Sequence, residues 1–293
     1  MAKMENLSKQ RLKYLSKLRL KKYRQQKGAF LIEGKRLVET AVASDWTVEE
    51  IYLSQRGLDS FSKSKLGKNV ALQKIPLFSA SHEEIESLCE TETPQGVLGL
   101  VRAKKFDLDD LPWKEVNLAL LIEDLKDPGN LGTIIRTAHG FGVGAVFLTK
   151  DCVELFNPKV VRASMGSLFY LPVFSEATAA VGLELSAREL INTLKDKDFE
   201  VITCDPNAET EISRRRFPGR VCLLIGSEPT GVSEDLGGLA DASVRIPTIA
   251  SLESLNVATA CAISLYEISR QRGFLDHHLQ NWANDTDSVS LTS

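Results

Sequence analysis

The sequence predicts an α/β protein of two domains, each with helices packed against a β-sheet. Along most of the 293 residues, apolar runs typical of buried strands alternate with segments whose apolar residues recur at helical spacing. One stretch, residues 116–148, has the pattern of a complete strand–turn–helix–strand unit. The charged segment 103–113, which contains a proline, separates two such alternating patterns and predicts a linker.

The strand–turn–helix–strand unit is best defined at Leu125–Gly142, whose sequence is LKDPGNLGTIIRTAHGFG. Val116–Ile122 predicts the strand before it, and Ala145–Leu148 predicts the strand after it. The Asp-Pro-Gly-Asn turn predicts a helix start with Asn130 as the N-cap, and two glycines end the helix. The turn then lies at the carboxyl end of a strand, where open α/β sheets bind ligands, and the helix start favours an anion. From this stretch alone, two interpretations of each residue are equally good. Asn130 is either a simple N-cap or a functional residue, and Arg136 is either a solvated arginine or a functional residue.

Composition excludes several classes of protein. The hydrophobic fraction of 43% is ordinary for a globular chain, and no apolar run approaches the roughly 18–20 residues that cross a bilayer. The N-terminus lacks the apolar core of a secretory signal. The five cysteines are scattered without a CxxC pair, which argues against a disulfide framework or a zinc site. We therefore expect no metal and no membrane partner.

Residues 1–27 are predicted to be a basic arm that contacts nucleic acid. They hold ten Lys or Arg and one acid, although the whole chain has a net charge of −3. Such a segment supplies phosphate contacts, and Arg24 is a candidate. Its leucines form a partial apolar stripe, which predicts a helix that packs the leucines and is broken at Gly28. A solvated helix face is the plain alternative, and an organellar transit peptide is disfavoured because the segment is Lys-rich and Ser-poor.

The remaining elements complete two α/β domains. Residues 28–102 predict a small βαβαβ domain, and residues 114–274 predict the second domain with a mostly parallel sheet. In the second domain, helices are predicted at Asn157–Phe169, at Ser186–Lys195 behind a capping box, and at Ser254–Arg270 with Ser254 as the N-cap. Strands are predicted at Phe199–Cys204 and Val221–Ile225. The polar residues 275–293 are predicted to be a disordered tail.

Three segments of the chain resemble signatures of one enzyme family. DPGNLGTIIRTAHGFG resembles the first signature of the SpoU (TrmH-type) RNA ribose 2′-O-methyltransferases. LLIGSEPTGVS, at Leu223–Ser233, resembles the second, and IPTIASLESLNVATACAISLYE, at Ile246–Glu267, resembles the third. The segments FLIEGKRLVETA and TPQGVLGLV are similar to the opening and close of the L30e-like substrate-binding domain that precedes the catalytic domain in many of these enzymes.

The resemblance implies a fold and an activity. The second domain would be a SPOUT-type α/β domain with a deep trefoil knot formed by the second and third signatures. The protein would transfer a methyl group from S-adenosylmethionine (AdoMet) to a ribose 2′-hydroxyl of RNA, with large-subunit ribosomal RNA as the expected substrate. It would act as a homodimer in the cytoplasm. A transfer-RNA methyltransferase, or a non-catalytic RNA-binding protein that retains the fold, are the alternatives.

The resemblance also assigns roles to residues at the matching positions. The implied active-site residues are Asn130, Arg136, Glu228, Ser254 and Asn256. The implied cofactor-binding residues are Thr203, Cys204, Leu224, Gly226, Ile246 and Leu255. Three arginines are the predicted RNA-binding residues: Arg24 of the basic arm, Arg36 of the small domain, and Arg162. Of these, Arg162 is the one that recurs at this place in the family, and an ordinary surface arginine is an equal alternative for it.

Two features qualify these roles. The family's arginine is proposed to receive the hydroxyl proton, but a guanidinium does not normally lose its own proton. We therefore expect Arg136 to stabilise the developing alkoxide or the neighbouring phosphate. The second signature also departs from the usual pattern, with Ser227 in place of asparagine and Pro229 in place of glycine, and Thr248 stands where the third usually has methionine.

Overall fold

A computed structural model of the chain divides into two compact units. The first comprises Met1–Asp109, Asp127–Arg136 and Val153–Leu183, and the second comprises Asp110–Lys126, Thr137–Cys152 and Glu184–Ser293. Within these ranges, the structure describes residues 4–62, 74–175, 178, 186–227, 230–249, 251–252 and 254–273. The predicted tail 275–293 and the predicted active-site residue Glu228 lie outside the described residues.

The N-terminal part of the first unit is an α/β layer. Its elements are β1 (Glu5–Asn6), α1 (Lys9–Lys17), α2 (Lys21–Lys27), β2 (Ala29–Glu33), α3 (Lys35–Ala43), β3 (Val48–Leu53), α4 (Gln55–Ser62), β4 (Leu77–Ser79), α5 (His82–Leu88) and β5 (Val97–Arg102). The strands form a mixed sheet in the order β1-β4-β3-β5-β2, in which β5 runs antiparallel to both of its neighbours. The predicted Ser81 cap is confirmed, since its side chain and that of Glu84 form a reciprocal capping box at the start of α5.

The basic segment belongs to the core of this first unit. Leu7, Leu15 and Leu18 are buried in one hydrophobic cluster with residues of β3 and β5, whereas the lysines of α1 and α2 are exposed. The prediction that the leucines pack is confirmed, and the predicted break falls at Gly28, whose φ is +57°. The segment forms two helices instead of one. It is therefore a part of the folded unit and not an arm outside it.

The C-terminal part of the chain supplies the other elements. They are β6 (Leu118–Ile122), α6 (Pro128–Gly140), β7 (Ala145–Leu148), α7 (Pro158–Ala163), β8 (Val173–Phe174), α8 (Ala187–Asp196), β9 (Phe199–Cys204), β10 (Arg220–Ile225), α9 (Glu234–Gly237), β11 (Ala242–Val244) and α10 (Val257–Gln271). In the second unit the strands pair in the order β11-β9-β10-β6-β7, and every pairing is parallel. The predicted parallel sheet and the capping box at Ser186 are confirmed.

Two predicted helices are shorter than expected. The helix predicted over Asn157–Phe169 ends at Ala163, because Met165 and Gly166 have left-handed backbone angles of +51° and +91°. A 3₁₀ turn, Ser167–Phe169, follows this break. The last helix begins at Val257 and not at Ser254. No helix within the described part of the chain is both long and apolar enough to cross a membrane.

Candidate active site

Three parallel strands of the second unit end side by side. Thr203 of β9 is in register with Leu224 of β10 on one side and with Ser243 of β11 on the other. Residues in register on neighbouring parallel strands project from the same face of the sheet. The fold therefore brings two of the predicted cofactor-binding residues, Thr203 and Leu224, together on one face at the carboxyl edge where α/β sheets bind ligands. Cys204, the next residue of β9, lies at the same edge but projects from the opposite face.

This edge is apolar and contains few polar groups. Leu224 is fully buried and the Thr203 side chain is only 7% exposed. The Cys204 Sγ accepts a hydrogen bond from Ser264 Oγ of α10 at 3.7 Å. Burial raises the pKa of the Cys204 thiol above its ordinary value, which favours the thiol over the nucleophilic thiolate.

The loop after β10 is closed on itself by hydrogen bonds. The Ser227 N–H donates to the Gly231 carbonyl at 3.1 Å, and the Gly231 N–H donates to the Ser227 carbonyl at 2.9 Å. The hydroxyls of Ser227 and Thr230 lie 2.7 Å apart. A Cβ at Gly226 would lie 1.8 Å from the Gly231 carbonyl oxygen, far inside van der Waals contact. Only glycine at position 226 therefore permits this closed loop.

The third signature comprises a segment of partly buried residues and the start of helix α10. Ile246 and Leu255 are half-buried, and Ser254 is exposed. The prediction that Ser254 caps the last helix is wrong. The cap is Asn256, whose side-chain oxygen accepts hydrogen bonds from the N–H groups of Ala258 at 3.0 Å and Thr259 at 3.2 Å.

In the first unit, the start of α6 also differs from the prediction. Asn130 is not the N-cap, because the Asp127 side chain accepts a hydrogen bond from the Asn130 N–H at 2.7 Å and Pro128 is already helical. Asn130 lies in the first helical turn and is half-buried. Arg136 is exposed, and its guanidinium makes no hydrogen bond or ion pair with any residue that the structure describes.

Helices α6 and α7 approach closely in the first unit. A Cβ at Gly132 would lie 2.5 Å from the Ala163 Cβ and 2.6 Å from the Val160 carbonyl oxygen. This packing fixes α6 against the helix that carries Arg162, one of the predicted RNA-binding residues. The side chains of Arg162, which is half-buried, and Arg36, which is exposed, form no ion pair within the described parts of the chain.

Arg24 does not fit its predicted role in RNA binding. Its side chain is 5% exposed and forms a bidentate ion pair with Glu154, which is 6% exposed. Its remaining donors reach the carbonyl oxygens of Leu18 at 2.8 Å and Arg19 at 2.7 Å, where α1 has ended. With its donors already engaged inside the protein, the Arg24 guanidinium is not available to a phosphate, and the prediction is wrong.

Comparison with known proteins agrees with this geometry. The sequence model of the SpoU rRNA Methylase family matches residues 117–266, just over half of the chain. The chain belongs to the SpoU family. The model of the MRM3-like substrate binding domain matches residues 9–99, so in this SpoU protein the match includes the basic helices α1 and α2.

Curated SpoU relatives match along most of their length. The 23S rRNA (uridine(2479)-2′-O)-methyltransferase of Streptomyces viridochromogenes is 31% identical over 85% of each chain. The 23S rRNA (guanosine(2553)-2′-O)-methyltransferase RlmP of Bacillus subtilis is 30% identical over 92% of this chain and 99% of its own. The family membership predicted from the three signatures is confirmed.

A solved SpoU structure shares the fold. The methyltransferase AviRb from Streptomyces viridochromogenes, in complex with the cofactor AdoMet, superposes with a TM-score of 0.76 and 27% identity. The superposition covers 89% of this chain and 98% of AviRb. The predicted SPOUT-type fold is confirmed, and the trefoil knot stays a prediction.

The carboxyl edge of the second unit fits an adenosyl cofactor. Adenosine presents a flat apolar ring with polar edges, and sites for such ligands combine apolar walls with a few polar groups. Leu224, Ile246 and Leu255 are suited to the ring, and the closed loop from Gly226 supplies backbone groups. Beside Thr203, the Ser243 Oγ is buried with no hydrogen-bond partner among the described residues, and a polar group of a bound ligand could satisfy it.

Sequence reasoning missed Glu123. This residue follows β6 and hydrogen-bonds to both sides of the closed loop. The sequence feature that could have identified Glu123 is an acidic residue directly after a buried strand, at the edge of the sheet where the other predicted site residues lie. The resemblance drew attention to the motif that begins at Asp127, four residues later.

Proposed function

We propose that this protein transfers the methyl group of AdoMet to a ribose 2′-hydroxyl of large-subunit ribosomal RNA. One observation carries the proposal. Thr203 and Leu224, with the loop from Gly226, lie together at the carboxyl edge of a SpoU sheet, and their apolar and backbone groups suit an adenosyl group. AdoMet supplies an electrophilic methyl group when it is bound. The protein must then position the ribose and stabilise charge as the hydroxyl loses its proton.

Arg136 is suited to stabilise that charge. It is exposed and has no ion-pair partner in the described residues, so its planar guanidinium is available for an alkoxide or a phosphate oxygen. We assign to Asn130, Ser254 and Asn256 the role of positioning the substrate next to Arg136. We assign to Glu228 the role of binding an amide or guanidinium group of a partner.

Gly226 gives a direct test of the cofactor site. Replacing Gly226 by alanine is expected to weaken AdoMet binding by at least tenfold, because the new Cβ would force the loop away from Gly231. Calorimetric titration of the purified protein with AdoMet measures this change. The matched control is Gly219→Ala, where a Cβ would meet no atom within 4 Å. Wild-type affinity in Gly226→Ala would contradict the assignment of the loop to the cofactor.

We infer that the first unit holds the RNA. Exposed lysines on α1 and α2, together with Arg36 and Arg162, provide cations for phosphates. The named activities of the two curated relatives, both on 23S rRNA, favour ribosomal over transfer RNA. We also infer a cytoplasmic location, because the basic N-terminal segment is Lys-rich and Ser-poor, unlike an organellar transit peptide.

We further propose a homodimer. The observation in support is an apolar strip on α10, where Ile263 is 37% exposed and Tyr266 is 46% exposed. Exposed apolar patches commonly mark association surfaces. Sedimentation of the purified protein tests this proposal, and a monomer at micromolar concentration would contradict it.

Ribose-methylation mapping of total RNA from cells with and without the protein tests the function. We expect one 2′-O-methyl mark to disappear from large-subunit ribosomal RNA. A mark lost from transfer RNA instead would retain the chemistry and overturn the substrate. No lost mark, together with no AdoMet binding by the purified protein, would support a non-catalytic RNA-binding protein.

A further inference from the structure

The loop from Gly226, which runs to Val232 and belongs to the second signature, is the second-signature loop. The residues on either side of it are both hydrogen-bonded to a single residue, Glu123. Its backbone N–H donates to the carbonyl oxygen of Ile225, the last residue of β10, at 2.8 Å. Its side-chain carboxylate accepts a hydrogen bond from the backbone N–H of Ser233 at 2.8 Å. Between these two attachment points lies the loop that the Ser227–Gly231 hydrogen bonds close.

Glu123 is itself held firmly. It directly follows β6, whose five residues are all buried and pair in register with Val221–Ile225 of β10. Ser233, at the other side of the loop, caps α9 through its hydroxyl, which accepts from the Leu236 N–H at 3.3 Å. The Glu123 carboxylate thus joins the end of a buried strand to the residue that caps α9, so the positions on either side of the loop, Ile225 and Ser233, are both hydrogen-bonded to Glu123.

We propose that Glu123 is a positioning residue that holds the second-signature loop in the shape that binds AdoMet. The inference rests on the proposed function, since it assumes that this loop grips the cofactor. Glu123 acts through the Ser233 N–H and through the loop. A hydrogen bond to a carboxylate is stronger than a neutral one, so its loss would release one side of the loop.

The first experiment compares Glu123→Ala with Glu123→Gln by calorimetric titration with AdoMet. Glu123→Ala is expected to weaken binding about tenfold or more, whereas Glu123→Gln keeps a side-chain acceptor and is expected to stay within about threefold of wild type. The matched control is Asp241→Ala. Asp241 also accepts a backbone N–H at 2.8 Å, from Val201, but it lies at the amino end of β11. That control is expected to bind AdoMet within about twofold of wild type.

A second pair of variants tests the same bond from the donor side. Ser233 has φ −60°, which suits proline, and Ser233→Pro removes the N–H that Glu123 accepts. Ser233→Ala removes only the capping hydroxyl. We expect Ser233→Pro to reproduce the loss of Glu123→Ala and Ser233→Ala to retain affinity. If Glu123→Ala does not fold, the comparison of Ser233→Pro with Ser233→Ala still tests whether this hydrogen bond supports AdoMet binding.

Hydrogen exchange adds a readout that needs no ligand. In Glu123→Ala, the amides of described residues 230–233 are expected to exchange faster than in wild type, while those of β9 are unchanged. Equal AdoMet affinity in Glu123→Ala and wild type would overturn this proposal alone, as would an equal loss in Asp241→Ala or in Glu123→Gln. A wild-type protein that binds no AdoMet would overturn the proposed function, and this inference with it.

Discussion

Replacing Arg136 by lysine is expected to lower kcat for RNA methylation by about 100- to 1,000-fold. Lysine retains the charge but loses the planar, bidentate geometry that a guanidinium offers to an alkoxide or a phosphate. Arg136 is exposed and unpaired among the described residues, so the substitution breaks no ion pair there and the fold is expected to be unchanged. Because an interaction made chiefly in the transition state is removed, kcat is expected to fall much more than the affinity for AdoMet.

Single-turnover assays on the RNA substrate, with circular dichroism to check folding, measure this effect. The matched control is Arg56→Lys, on α4 of the first unit, where an exposed arginine has no assigned role. The control is expected to retain wild-type turnover. Near-normal turnover in Arg136→Lys would show that a planar guanidinium is not essential, and would contradict both a stabilising and a basic role for this residue.

Replacing Arg24 by alanine is expected to lower the free energy of unfolding by about 3–5 kcal/mol. The substitution leaves the Glu154 carboxylate buried without its cation, and it also removes the donors that reach the Leu18 and Arg19 carbonyl oxygens. Desolvation of an unpaired carboxylate is the main cost. Urea unfolding followed by far-UV circular dichroism measures the change.

Two further variants define the origin of that cost. The double variant Arg24→Met with Glu154→Leu replaces both charges by apolar groups and is expected to recover most of the stability. Arg102→Ala breaks an ion pair with Glu49 in which the Arg102 side chain is 55% exposed, and is expected to cost under about 1 kcal/mol. A small loss in Arg24→Ala combined with a large loss of RNA affinity would restore Arg24 to the RNA-binding surface.

The sequence determined the local structure wherever the backbone and its nearest neighbours decide it. The Ser81 and Ser186 capping boxes, the strand Phe199–Cys204 and the break at Gly28 were all predictable, because each depends on side chains within a few residues. The three signatures were sufficient for the family, because they place chemically specific residues in a fixed order. Helix starts were less predictable where two residues within one turn can both cap. Asp127 caps α6 in place of Asn130, and Asn256 caps α10 in place of Ser254.

Only the tertiary structure decided what each charged residue faces. Arg24 and Arg36 look alike in the sequence, yet Arg24 is buried against Glu154, which lies 130 positions away, and Arg36 is exposed. Glu123 and Ser233 are 110 positions apart and meet because β6 and β10 pair in parallel. Such partners are chosen by strand pairing and packing between distant segments. Composition and periodicity carry no information about these contacts, since they describe only the neighbours along the chain.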